Sequence, residues 1–156
     1  MELIRALTAE QYAQALEAWQ WMDLEGKEPV FASLFGDLFF VAVDGIWWLD
    51  VLEGTLTRPW GSIDEFRAAT STPEGRDTYL LAGLAFAAAE RDVVPGPDQM
   101  YDFPVPPVLG GPMDAASLQV VDVVVGLNVA GQVHRQIRHL PPGTPVDGIA
   151  VDDGRT

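Results

Sequence analysis

Apolar side chains recur at helical spacing near the start of the chain: Tyr12, Leu16, Trp19 and Met22 are separated by four, three and three residues. That spacing places one stripe on one helix face. Thr8 and Gln11 stand in the relation of a capping box, so a helix is predicted over 9–22, closed by Gly26 and Pro29. The pattern then shortens. Residues 36–60, GDLFFVAVDGIWWLDVLEGTLTRPW, carry apolar runs too brief for helices, punctuated by Asp44-Gly45 and Glu53-Gly54. They predict a β-meander. A two-residue turn at Asp44-Gly45 sets Val43 opposite Ile46, Val41 opposite Trp48 and Phe39 opposite Asp50. Both faces of that hairpin are apolar, which calls for cover on both sides or for one face presented to a partner.

Ser62 and Glu65 form a second capping-box pattern and open a short helix over 63–70, which Pro73 and Gly75 interrupt. A helix over 77–91 follows, apolar nearly all round and therefore expected to be deeply buried. Residues 93–114 hold six prolines and three glycines and read as a long structured loop. The valine-rich stretch 117–126 predicts a strand, extending the sheet over 118–125. The last helix is expected over 128–140, ended by Pro141-Pro142-Gly143, and residues 147–156 form a frayed acidic tail. The prediction is an α+β fold: one domain over 1–146, with an antiparallel sheet built on 38–57 and about four helices packed against it.

Polar residues concentrate in the last helix, GQVHRQIRHLPPG (131–143). At about 100° per residue, Val129, Val133, Ile137 and Leu140 make its inward stripe. Gln132 and Gln136 edge that stripe and are expected to bond the backbone of the 104–112 loop. His134 and Arg138 lie toward the other side, with Arg135 and His139 outward. The two histidines diverge by about 140° and cannot chelate one metal from this helix. Positive charge at Arg138 and His139 complements the helix dipole.

Composition narrows the function. There is no cysteine among 156 residues, so disulfides, thiolate metal sites and a cysteine nucleophile are excluded. A net charge of −14 opposes nucleic acid and anionic membranes, and it suits a basic partner or plain solubility. No basic-then-apolar leader and no membrane-length apolar run is seen, which predicts a cytoplasmic protein. Phosphate-loop, dinucleotide, nucleophile-elbow and HExxH motifs are all lacking. His134 as a general base has only Asp122 and Ser117 nearby in sequence, and neither a cofactor nor a metal is implied.

Three stretches together resemble a known family. They are the meander with Gly36-Asp37 and Trp48-Leu49-Asp50; Tyr101 with Pro106-Pro107-Val108-Leu109-Gly110-Gly111; and Gly131-Gln132, His134, Gln136 and Leu140-Pro141-Pro142-Gly143. Over residues 30–146 the chain is similar to the C-terminal domain of bacterial type VI secretion immunity proteins. The resemblance implies a non-catalytic cytoplasmic protein that binds and neutralises a cognate toxin, a DNase in the member that names the family. Many relatives carry a further N-terminal domain, so this is expected to be a minimal version. The motif residues Pro106, Pro107, Gly110, Gly111, Gln132, His134, Gln136, Pro141 and Gly143 are then candidates for an architectural or partner-contact role. Two rival functions stand beside it. One is a small-molecule or peptide sensor, with the Pro/Gly loop as a lid over Trp47, Trp48, Trp60 and Tyr101. The other is a hydrolase working through His134 and a carboxylate.

Overall fold

The computed structural model describes residues 1–141, 144–146 and 148–151. Strands β1 (Ile4–Arg5), β2 (Glu28–Ser33), β3 (Leu38–Ala42), β4 (Gly45–Asp50) and β5 (Thr55–Trp60) form one antiparallel sheet in that spatial order. The meander is where the apolar pattern places it, and β1 and β2 enlarge it on one side. Pro29 hides β2 from a reading by propensity. Its register with β3 shifts between Pro29 and Phe31, and β1 pairs only with Ala32 and Ser33, so Pro29 lies where β2 has a partner strand on one side only.

The hairpin turns one residue earlier than predicted. Val41 pairs with Ile46, Phe40 with Trp47 and Phe39 with Trp48, leaving Val43 and Asp44 as the turn. Gly45 takes a φ of 141°, and a Cβ there would lie 2.3 Å from the Trp60 carbonyl oxygen, so backbone conformation and close approach both call for glycine. The pairing slips by two positions, so strand parity, and with it the sorting of side chains to faces, is preserved.

Each face has its own core. Phe39, Ile46, Trp48 and Trp60 pack on one side with Phe66, Leu80, Ala82, Ala85 and Ala88. These come from helices α2 (Ile63–Ala69), α3 (Pro73–Leu80) and α4 (Ala82–Glu90). Leu38, Phe40, Leu49 and Val51 pack on the other side with Tyr12, Leu16, Trp19, Val123 and Leu127. Those belong to α1 (Ala9–Leu16), the 3₁₀ turn Glu17–Trp19 and α5 (Val123–Ile137). The hairpin that is apolar on both faces is thus covered on both, in an α+β arrangement.

Three features of the helices α2–α4 differ from expectation. Pro73 begins a helix rather than interrupting one: it sits in the first turn of α3, which Thr72 caps by accepting from the Gly75 amide. The predicted 77–91 helix is broken at Leu81, whose φ of 53° and ψ of 44° end α3 and start α4. Nor is α4 buried all round. Its alanines at 82, 85 and 88 face the core while Phe86 is 49% exposed.

The strand predicted over 117–126 stops at Asp122. β7 (Gln119–Asp122) pairs with β6 (Gln99–Asp102), inside the proline-rich loop, in a separate two-stranded sheet rather than extending the main one. Asp122 then accepts from the Val125 amide at 3.0 Å and caps α5, so the three valines after it are helical. The Tyr101 amide donates to the Leu34 carbonyl at 2.7 Å, tying the small sheet to the β2–β3 turn.

Candidate functional site

The β2–β3 turn buries a carboxyl group. Asp37 follows Gly36, which has φ of 89°, and its amide bonds the Ser33 hydroxyl at 3.2 Å. Its side chain accepts from Trp48 Nε1 at 2.9 Å and from the Val51 amide at 3.0 Å. Burial, and secondarily the nearby Asp50, push the Asp37 carboxyl up to about 8. Asp50 accepts from the Leu52 and Glu53 amides, both at 3.1 Å, and closes the β4–β5 turn. Its own pKa is also raised, chiefly by burial. Asp50 thus fits the strand-end role its position suggests. Asp37 does more, since its carboxyl holds β4 to the turn from inside the fold.

His134 reaches the same region from α5. Its Nε2 lies 2.8 Å from the Val51 carbonyl oxygen and its ring 5.8 Å from that of Trp19. Gly54, with φ of 71°, crosses the ring so closely that a Cβ would lie 2.4 Å from Nδ1. Burial lowers the histidine pKa against the opposing Val51 bond and the charges of Asp50 and Glu53, so the neutral ring donates Nε2–H to Val51. His134 therefore points inward, contrary to expectation. The buried face of α5 runs through Val123, Gly126, Leu127, Gly131, Val133 and His134, so Val133 is inward as expected while Ile137 is half-buried and Leu140 exposed. The helix is rotated because Gly131 must meet the Glu17–Trp19 turn: a Cβ there would lie 2.6 Å from the Ala18 carbonyl oxygen. Trp19 Nε1 also donates to the Leu127 carbonyl at 2.9 Å.

Neither neighbour suggested for a histidine base is present beside it. Asp122 caps α5, and the Ser117 amide and hydroxyl both bond Asp114, at 2.9 and 2.7 Å. The proposed aromatic pocket does not form either. Trp47 lies on the sheet face opposite Trp48 and Trp60, and Tyr101 is buried beside Phe35. The cavity under Pro106 and Pro107, which Tyr101 and His134 also line, holds about 60 Å³. That is well below the hundreds of Å³ typical of a small-molecule pocket. Among the described residues, no group of three or more His, Asp or Glu could hold a metal ion.

The motif residues do gather, in part, around an open cleft of about 790 Å³. Pro107, Gly110, His134 and Pro141 line it with Trp21 and Arg138. Arg138 lies 5.4 Å from the centre of the Trp21 ring. Residues 106–111 close on themselves: the Leu109 and Gly111 amides donate to the Pro106 carbonyl, and the Gly110 amide donates to the Pro107 carbonyl. Gly110 takes φ of 93°, and a Cβ on Gly111 would lie 1.8 Å from the Val105 carbonyl oxygen. The turn itself accounts for both glycines.

Gln136 does not hold this loop. It donates to the Ala150 carbonyl at 2.5 Å and accepts from the Ala150 amide at 3.1 Å, pinning part of the stretch expected to fray. Gln132 is half-buried on the same helix. Gly143, Pro142, Asp147 and residues 152–156 lie outside the described residues. Among the described residues, no helix is long and apolar enough to cross a membrane.

No curated protein matches the chain. The crystal structure of Atu4351 from Agrobacterium tumefaciens is similar in fold, with a TM-score of 0.54 at 16% sequence identity. The match covers 83% of this chain and 66% of that one, so the chain spans just under two thirds of that protein's length. Residues 61–134, from just after β5 to His134, match the family model of the T6SS immunity protein Tdi1, C-terminal, the family that the sequence resembles.

Proposed function

We propose that this protein is a non-catalytic immunity protein that binds a cognate toxin and neutralises it by occupying its surface. The observation that carries the reading is the family match over 61–134, a segment ending at the histidine that is locked to Val51. The use made of the polar groups supports it. His134, Asp37 and Asp50 are each engaged with backbone or indole N–H and C=O groups that hold the fold together. An acid or base in reserve for a substrate would need a free partner in an accessible cleft. The net charge of −14 favours a basic partner such as a nuclease, because complementary charge speeds encounter. The compartment is the cytoplasm, where such a toxin would act on its producer.

The test is co-expression with the polypeptide encoded by the adjacent reading frame. The expected result is rescue of growth and a stoichiometric complex on size exclusion. Catalytic turnover of the neighbour, or toxicity unrelieved by this protein, would remove the proposal.

A further inference from the structure

Val43 is an aliphatic side chain with no place in the fold. It occupies the β3–β4 turn with 109% relative exposure, and Val41, on the same strand face, is 41% exposed. Neither Val43 nor Asp44 takes a positive φ, so the turn accepts most residues, and the Val43 side chain packs into neither core. Val41, Val43, Lys27 and Glu28 line a shallow open groove of about 650 Å³ at this end of the sheet.

The turn is held rigidly for an exposed element. Trp47 Nε1 donates to Asp44 Oδ1 at 2.9 Å, and Arg58 Nη1 donates to the Asp44 carbonyl at 2.8 Å. A surface fixed in advance loses less entropy when a partner docks. Its surroundings are acidic. Asp23, Glu25, Glu28 and Asp44 are all exposed. The nearby cations are already committed: Lys27 stands 4.3 Å over the Trp47 ring and 4.0 Å from Asp23, and Arg58 pairs with Asp44 at 3.7 Å. Glu25 and Glu28 have no ion pair among the described residues.

We infer that this hairpin end, with Val43 as its apolar anchor and Glu25 and Glu28 on its rim, is the surface that docks the basic toxin. The assignment rests on the function proposed above. An apolar contact ringed by polar groups is the arrangement that concentrates binding energy at protein interfaces. The open cleft beside Pro107 is the less suitable face for a basic partner, because Arg138 lines it with Glu53 as the single acid among the described residues, and Arg135 and His139 are exposed on the same helix end.

The experiment measures association of the purified neighbouring polypeptide with the wild-type protein, V43R, Glu25→Lys/Glu28→Lys and R138E. V43R is expected to weaken Kd by roughly tenfold or more. The double reversal is expected to slow association and flatten its salt dependence, with R138E within about twofold of wild type. Circular dichroism checks that each variant folds; Val43 lies outside both cores, and the double reversal tests the same face independently. Binding unchanged by V43R and by the double reversal, or lost only in R138E, would overturn the docking assignment and leave the immunity reading standing. A wild-type protein that forms no complex would overturn both.

Discussion

His134 Nε2 and the carbonyl oxygen of Val51 lie 2.8 Å apart, joining the end of the last helix to the residue that follows β4 across 83 residues of sequence. The same Val51 donates its amide to Asp37, so one peptide segment is held from both sides. Removing the imidazole would leave a buried carbonyl unpaired and open space beside Trp19. H134A is therefore expected to cost about 2–4 kcal/mol in urea unfolding. If toxin rescue persists at a temperature where the variant stays folded, the histidine's role is structural.

The pH dependence of that bond has a definite sign. Burial depresses the His134 pKa below its ordinary 6.5, so the folded state binds fewer protons than the unfolded one. Its stabilising contribution is present above 6.5 and lost as pH falls through and below it. Urea midpoints of the wild type should drop from pH 7 to pH 5 more steeply than those of H134A.

Asp37 acts in the opposite direction. Its pKa rises from 3.8 to about 8, so the folded state holds a proton that the unfolded state has released. That contribution is complete below 3.8 and is eroded as pH rises toward 8. Between pH 6.5 and 8.5, where the histidine adds little, the wild type should lose stability at up to about 1.4 kcal/mol per pH unit. D37N should be less stable at pH 6.5, because an amide oxygen replaces two acceptors, yet nearly flat across the window. An equal slope in both proteins would mean that the Trp48 and Val51 donors keep Asp37 ionised throughout.

Glycine substitutions separate close approach from turn geometry. Gly131→Ala would force α5 from the Ala18 carbonyl, and Gly54→Ala would meet the His134 ring and also needs φ of 71°. Each is expected to cost about 1–3 kcal/mol by overpacking, with additional backbone strain at Gly54. Gly26→Ala meets nothing within 4 Å and is a strain-only control at φ of 72°. Thermal melts of the three variants would rank them, and a Gly26 variant as unstable as the other two would sink the close-approach argument.

How much of this was legible depended on whether the deciding contact was local. The capping of α1 by Thr8 and Gln11 is local, and both reciprocal bonds are present. So is the alternation along β3 and β4, which sorted Phe39 from Phe40 onto opposite faces even though the turn was misplaced by one residue. Propensity favours strand for the valines at 123–125, and a single aspartate cap with tertiary packing overrides it. Nothing local announces that His134 turns inward. The arc of Val129, Val133, Ile137 and Leu140 places Val133 inward correctly, but Ala18 and Trp19, more than a hundred residues away, set the rotation that adds His134. Asp37 was missed for the same reason, since its donors at Trp48 and Val51 come from another strand. The motif PPVLGG was visible as a motif, and its physical content, a turn closed on Pro106, was not.

Gln136 offers a last test of what the helix-end motif does. Its amide exchanges two bonds with the Ala150 backbone, both on the exposed side of α5. Removing them touches neither core, so Q136A should change global stability by no more than about 0.5 kcal/mol. The Ala150 amide loses its acceptor, and hydrogen exchange there should approach the rate of an unstructured chain. If Ala150 remains protected in Q136A, this part of the chain is held by other contacts, and the glutamine is spared for a partner.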